Sequence, residues 1–116
     1  MKLYSSGEIV NKLKKATSRQ ILDLAEKGLI IPFRETTGAG SPRLYDFQNI
    51  FDICICLTLR GVFNGEPLKK ILKLCNKPTT SGMVKIPLAG FAIIVIDCLG
   101  LRSNLSKIFT QKEDLR

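Results

Sequence analysis

The fold of this chain is decided by residues 17–22, which read TSRQIL. Thr17 or Ser18 is a suitable helix N-cap, because a hydroxyl there accepts hydrogen bonds from the free amides of the first turn. Aliphatic residues then recur at helical spacing, while Arg19 and Gln20 fall on the polar side. An arginine forks onto guanine and a glutamine onto adenine in the major groove. The stretch therefore predicts a helix whose exposed start suits a groove of DNA.

A short helix is predicted just before this one. It starts at Ser5 or Ser6, and Glu8 completes a capping box with Ser5. Lys14 and Lys15 lie in the tight connection between the two helices. Two short helices joined by a tight turn form a helix-turn-helix unit, whose second helix enters the major groove.

A two-stranded hairpin, or wing, is predicted after Gly28, which ends the second helix in a left-handed conformation. Residues 29–35 and 43–45 are β-prone and flank a turn-rich stretch with two glycines. Arg34 and Arg43 stand on the two sides of this hairpin. Such cations suit phosphates or the minor groove, although a plain surface hairpin with solvated arginines remains the alternative.

The rest of the chain contains five further predicted elements. They are helices over residues 47–61, 65–75 and 102–112 and strands over 83–86 and 91–97. The fold class is thus mainly α with a small β part: a winged helix-turn-helix followed by a short strand–helix appendage. The corresponding domains are residues 1–76, expected to bind DNA, and residues 77–116, expected to mediate dimerisation.

The run FAIIVID at residues 91–97 is apolar without the alternation of a strand that has one wet face. Such a strand invites association when it is exposed. We expect it to build a homodimer interface, by pairing across a two-fold axis or by packing on the last helix. The alternative is that it folds back on the helix pair of its own chain. The expected interface residues are Phe91, Ile93, Ile94, Val95, Ile96, Leu105, Ile108 and Phe109.

Charge favours an anionic partner. The chain carries a formal net charge of +8 with a pI near 9.6. This excess is +5 in residues 1–76 (12 Lys/Arg minus 7 Asp/Glu) and +3 in residues 77–116 (6 minus 3). Nucleic acid fits such a balance better than an acidic lipid surface does. The most apolar window, residues 86–101, is shorter than the roughly 20 residues that span a bilayer, so no membrane association is expected.

Metal, cofactor and catalytic functions find no support in the sequence. The chain has no histidine, the commonest general base and metal ligand at neutral pH. Its four cysteines (Cys54, Cys56, Cys75 and Cys98) lie in apolar runs without CxxC spacing, and no secretory signal precedes them. We therefore expect no metal site, no cofactor and no enzymatic activity, and a location in the reducing cytoplasm, associated with the nucleoid.

Several segments match a known family in order and spacing. They are YSSGEI at 4–9, TSR at 17–19, EKGLI at 26–30 with Pro32, RLYD at 43–46 and LRGVF at 59–63. Through them the chain resembles the MerR-type winged helix-turn-helix transcription regulators over residues 3 to about 74. The resemblance implies a symmetric dimer on a pseudo-palindromic operator, with DNA contacts from Thr17, Ser18, Arg19, Arg43 and Tyr45. The full set of expected DNA contacts is Lys14, Lys15, Thr17, Ser18, Arg19, Gln20, Arg34, Arg43 and Tyr45.

Three departures from the family pattern define an alternative. Leu22-Asp23-Leu24 stands where the family has Arg-Tyr-Tyr, Ser41-Pro42-Arg43 replaces Gly-Tyr-Arg in the wing, and the long dimerising helix is missing. The first change puts a carboxylate near DNA. The alternative function is therefore a protein-interaction adaptor that keeps the winged-helix fold with weak or no DNA affinity. The sequence carries no signal for a contact with RNA polymerase.

Overall fold

The computed structural model of the protein describes residues 2–36, 42–77, 81–88 and 90–109. These residues form five helices and one two-stranded antiparallel sheet, so the chain is mainly helical, as expected. The elements are α1 (Ser6–Leu13), α2 (Ser18–Glu26), α3 (Phe47–Leu59), α4 (Gly65–Cys75), β1 (Met83–Leu88), β2 (Ala92–Asp97) and α5 (Cys98–Ile108).

Some predicted features lie outside the described residues. They are the wing tip at 37–41, part of the linker at 78–80, position 89 of the strand turn and the end of the last predicted helix at 110–112. The chain forms two compact units, Met1–Phe63 with α1 to α3, and Asn64–Arg116 with α4, the sheet and α5. This division precedes α4, whereas the predicted domain boundary followed Asn76.

The predicted capping box begins α1. The Glu8 amide donates to Ser5 Oγ at 3.2 Å, and the Ser5 amide donates to Glu8 Oε1 at 3.0 Å, so the prediction is confirmed. Helix α1 ends at Lys14, which has a φ of 65°. Lys14 is the only residue other than glycine with a positive φ in the part of the chain that the structure describes. This left-handed residue turns the chain towards α2.

Helix α2 has defined ends of its own. Thr17 is its N-cap, since Thr17 Oγ1 accepts from the Gln20 amide at 3.1 Å. At the other end Gly28 adopts a φ of 76°, as predicted. The Leu29 amide then donates to the Leu24 carbonyl at 3.0 Å and the Gly28 amide to the Ala25 carbonyl at 3.1 Å. This Schellman pattern satisfies two carbonyls at the helix end.

The predicted wing is shorter than expected. Among its described residues, 29–36 and 42–45, the two sides pair at Arg34 and Leu44 alone, whose backbones exchange hydrogen bonds of 3.0 and 2.9 Å. The next residue, Tyr45, pairs instead with Tyr4, ahead of α1. On the other side, the Phe33 amide bonds to the side chain of Asn49 at 2.9 Å. On the side away from the tip, the pairing does not extend beyond this bridge because the backbone groups of Phe33 and Tyr45 already have other partners.

Helix α3 is the buried centre of the first unit. Asp46 caps it as predicted, through a reciprocal pair of bonds with Asn49. The helix ends at Leu59, two residues before the predicted end, and α2 packs against both α1 and α3. Fully buried side chains of this unit include Ile9, Ile21, Ile30, Tyr45, Ile50, Phe51, Ile53 and Cys56.

In the second unit, α4 and α5 pack against β1. Helix α4 has its predicted bounds, with Asn64 at the N-cap position but without a side-chain capping bond. Helix α5 begins at Cys98 rather than at the predicted Arg102, because Asp97 caps it and Asp97 Oδ1 accepts from the Gly100 amide at 2.8 Å. Within the described ranges, no helix has both the length and the apolar character needed to cross a membrane.

Candidate nucleic-acid interface

The connection between α1 and α2 forms an exposed cationic edge. Lys14, Lys15, Thr17, Ser18 and Arg19 are all exposed. The segment 12–20 contains four cations and no carboxylate. Because Thr17 caps α2, Ser18 and Arg19 occupy its first turn, where backbone amides and the positive end of the helix dipole add to the side-chain charge. The arrangement can bind a polyanion.

Gln20 lies at the same helix start but has a different task. Its Oε1 accepts from the Thr17 amide at 3.0 Å, which completes the capping box of α2. Two-pronged recognition of adenine uses both the oxygen and the nitrogen of a glutamine amide. The expected adenine contact and the observed cap therefore compete for the same oxygen. The signal for the cap was present in the sequence, since Thr and Gln three residues apart match the capping-box spacing.

The carboxylate of Asp23, one of the departures from the family pattern, is balanced locally. Lys27, the C-cap residue of α2, lies one helical turn after Asp23, and its Nζ is 2.9 Å from Asp23 Oδ2. Both side chains are substantially exposed, so the pair contributes little to stability. The positive charge of Lys27 nevertheless offsets the negative charge of Asp23 beside the cationic edge.

The two wing arginines differ in their surroundings. Arg34 is exposed, whereas Arg43 is partly buried and its Nε donates to Glu35 Oε1 across the wing. The bond from Arg43, with a smaller contribution from the Thr36 amide, holds the pKa of Glu35 below its ordinary value of 4.5. Glu35 therefore orients Arg43, and its negative charge offsets the positive charge of Arg43 at this place on the wing. The described part of the wing presents Arg34 as the more accessible cation.

Tyr45, expected to contact DNA, is only 1% exposed. It is a core residue whose backbone pairs with Tyr4, and burial raises the pKa of its hydroxyl. A small open cleft of about 140 Å³ lies above it, lined by Ser6, Leu22, Pro42, Arg43 and Tyr45. Leu22 thus contributes the α2 side of a cleft whose other side includes Pro42 and Arg43 of the wing. An aliphatic side chain at that position serves packing rather than phosphate binding.

Sequence reasoning missed the role of Asn49. It is the one buried polar or charged residue among the described residues. Its Nδ2 donates to the Ile31 carbonyl at 2.8 Å, and its Oδ1 accepts from the Phe33 amide at 2.9 Å. The segment entering the wing is thereby fixed with two large apolar side chains pointing outward, Ile31 at 80% and Phe33 at 52% exposure. A lone asparagine in the apolar run of α3 was the available signal.

The expected dimer residues divide into two groups. Leu105 and Phe109 are buried within the protein, and Ile94 and Ile96 are partly buried. The exposed members are Phe91, Ile93, Val95 and Ile108. Strand β2 therefore has one exposed face within the single chain, whereas its sequence lacks the alternation of a strand with one wet face. The reason is that its alternate residues point to opposite faces of a sheet of only two strands.

Three of the four cysteines, Cys56, Cys75 and Cys98, are buried, and Cys54 is partly buried. Burial raises the pKa of Cys54 to about 11 and that of Cys56 to about 12, with Asp52 contributing to the second shift. Cys54 also lines an open, largely apolar pocket of about 270 Å³ formed with Leu13, Lys15, Ala16, Leu57 and Thr58. Among the residues that the structure describes, no three His, Cys, Asp or Glu side chains are grouped to hold a metal ion.

Comparison with models of known protein families and with curated proteins finds no match to this chain. What the protein binds must therefore be inferred from its own residues and their geometry.

Proposed function

We propose that the protein binds double-stranded DNA sequence-specifically and acts as a dimeric transcription regulator of the MerR-like winged helix-turn-helix type. In this proposal α1 and α2 are the helix-turn-helix, and α2 enters the major groove with its N-terminal turn. The bridge between Arg34 and Leu44 is the base of the wing.

One observation carries the proposal: Arg19 is exposed at the start of a capped helix, four residues after the exposed Lys15 and five after the exposed Lys14. In this reading Arg19 reads a base edge, because a helix start in the major groove brings its first turn closest to the bases. Thr17, Ser18 and the two lysines bind phosphates. Phosphate contacts fix the register of a protein on the duplex, and base contacts specify the sequence.

The wing supplies the second contact. Arg34 meets the sugar-phosphate backbone, and Arg43 approaches it while bonded to Glu35. A pre-oriented arginine loses less conformational freedom on binding than a solvated one does. Tyr45 and Leu22 contribute by packing beneath this surface rather than by touching DNA.

Selection of duplexes from a random library tests the proposal, followed by binding measurements on the selected site and on a scrambled duplex. With four phosphate-binding cations per protomer, log K should fall against log salt with a slope of about −3 to −4 per protomer. Preference for the selected site and this steep slope together support the proposal. Lack of binding to either duplex at low salt contradicts it.

A second candidate function is the protein-interaction adaptor, and the exposed Ile31 and Phe33 favour it. Large apolar side chains held outward by a buried asparagine suit a protein partner more than a phosphate backbone. Binding to a duplex library separates the two functions, since an adaptor with this charge would bind weakly and without sequence preference.

A further inference from the structure

The sheet of the second unit has an outer face that is largely apolar. In β1 and β2, Lys85 pairs with Val95, Pro87 with Ile93, and Met83 with Asp97. The inward residues Val84 and Ile86 are buried, whereas Ile93, Val95 and Met83 are 62%, 55% and 40% exposed. Phe91, just before β2, is 88% exposed. We call this surface the outer sheet face; it comprises Met83, Lys85, Pro87, Phe91, Ile93, Val95 and Asp97.

The charges of the outer sheet face cancel. Its cation is Lys85 and its anion is Asp97, and the register makes them diagonal neighbours on adjacent strands. A neutral face on a chain of net charge +8 is poorly suited to DNA or an anionic membrane, which favour uncompensated cations. The partner that fits must offer apolar area together with one cation and one anion.

We infer that the outer sheet face is an isologous interface that binds a second copy of this chain. In a two-fold contact, residue i meets residue j of the second copy, and j meets i. The face carries the pattern this symmetry requires: Lys85 faces Asp97 of the second copy, and Asp97 faces its Lys85. Val95 and Met83 each adjoin both Lys85 and Asp97, so they pack between these two pairs, and Ile93 lies beside Val95 on the same face. The two faces stack at the roughly 10 Å spacing of packed sheets. The inference rests on the dimeric part of the proposed function and not on DNA binding.

Stacking of faces differs from pairing of strand edges, the other mode in which two copies could join. Edge pairing uses backbone groups of β2 and leaves the outer sheet face in water. Face stacking covers the apolar side chains of this face, which a two-stranded sheet alone leaves exposed to water. The two modes therefore respond differently to side-chain changes on this face.

Sedimentation of the full chain without DNA, over a range of concentrations, tests the inference. Ile93→Lys should raise the dimer dissociation constant at least about a hundredfold, because it buries an unpaired charge in the apolar part of the interface. Val62→Lys is the matched control, since it introduces the same charge at a β-branched residue of the other unit that is 59% exposed, close to the 62% of Ile93. Its dissociation constant should stay within about twofold of that of the unmodified chain. Circular dichroism and thermal melting establish that both variants are folded.

The charge pattern is tested separately. Lys85→Glu should raise the dissociation constant about tenfold, because it places two carboxylates opposite each other. Adding Asp97→Asn should recover most of that loss, because asparagine removes the repulsion and still caps α5.

A chain that is monomeric at about 100 μM, or a dimer that Ile93→Lys leaves intact, overturns the inference. Failure of Asp97→Asn to rescue Lys85→Glu overturns the reciprocal pairing. A dimer that behaves as expected but ignores all duplexes would reject DNA binding while leaving this interface in place.

Discussion

The Oδ1 atom of Asn49 accepts a hydrogen bond from the backbone amide of Phe33, sixteen residues earlier in the chain. The same oxygen accepts from the Asp46 amide at 3.1 Å, and Nδ2 donates to the Ile31 carbonyl. One buried side chain therefore starts α3 and also holds the segment that enters the wing. The position of the wing relative to α3 depends on it.

Replacing Asn49 by alanine should lower the free energy of unfolding by about 2–3 kcal/mol, because backbone groups at Ile31 and Phe33 lose their buried partner. Urea denaturation measures the change. Thr58→Ala is the control on the same helix: its hydroxyl bonds only to the Cys54 carbonyl at an exposed position, so it should cost no more than about 0.5 kcal/mol. Equal costs for the two variants would show that Asn49 is not a structural link.

Arg19→Ala and Arg43→Ala should affect DNA binding in different ways. Loss of a base-reading arginine should reduce discrimination between selected and scrambled duplexes by about 1–3 kcal/mol. Loss of a phosphate-binding arginine should weaken both complexes alike and reduce the salt slope by about 1. Fluorescence anisotropy on the two duplexes measures both effects.

Arg60→Ala serves as the control for charge, because it removes an exposed arginine at the end of α3 that the proposed contact set does not include. Identical effects of Arg19→Ala and Arg43→Ala on both duplexes would contradict the division into base and phosphate contacts.

The carboxyl group of Glu35 should titrate below 4.5 in an NMR pH titration, because Arg43 stabilises its charged form. A folded-state pKa that is depressed stabilises the fold above the unfolded pKa, and that contribution disappears as pH falls through the folded value. The bond between Arg43 and Glu35 should therefore persist on acidification until the pH is below 4.5.

Arg43→Ala should move the Glu35 midpoint back towards 4.5, although the Thr36 amide keeps part of the shift. Arg34→Ala, one residue from Glu35, should leave that midpoint nearly unchanged. A midpoint that responds equally to both variants would mean that general charge, rather than the specific bond, sets the pKa.

Gly100→Ala should destabilise the protein by about 1–2 kcal/mol, the usual cost of losing a helix N-cap. A Cβ at Gly100 would lie 2.3 Å from Asp97 Oδ2, so the carboxylate that caps α5 must move. Gly61→Ala is the matched control, because a Cβ there meets nothing within 4 Å, and its effect should stay within about 0.5 kcal/mol. Thermal melting compares the two, and equal melting temperatures would argue against the cap as a determinant of α5.

Sequence reasoning succeeded where the determining interactions are local. The caps at Ser5, Thr17 and Asp46 and the left-handed Gly28 each depend on residues within one helical turn, so their spacing is visible in the sequence. The bounds of α4 were predictable for the same reason.

The predictions from the sequence were wrong or incomplete where a residue's partner is far away in the chain, or where a uniformly apolar run conceals which residues are exposed. The bonds from Asn49 join positions sixteen and eighteen residues apart, and no periodicity reveals them. The apolar run of β2 hides which face is exposed, since every residue looks suited to burial. Asp97 was assigned to the predicted strand, so its role as the cap of α5 was missed. The burial of Tyr45 follows from its pairing with Tyr4, which depends on where the chain start folds.

The left-handed Lys14 has a consequence for engineering this protein. A side chain in that conformation costs about 1–2 kcal/mol that glycine avoids. Lys14→Gly would therefore relieve this conformational cost, but it would also remove one of the two lysines in the connection that leads to α2. At this position glycine suits the left-handed backbone best, whereas lysine suits an anionic ligand best, and the chain has lysine.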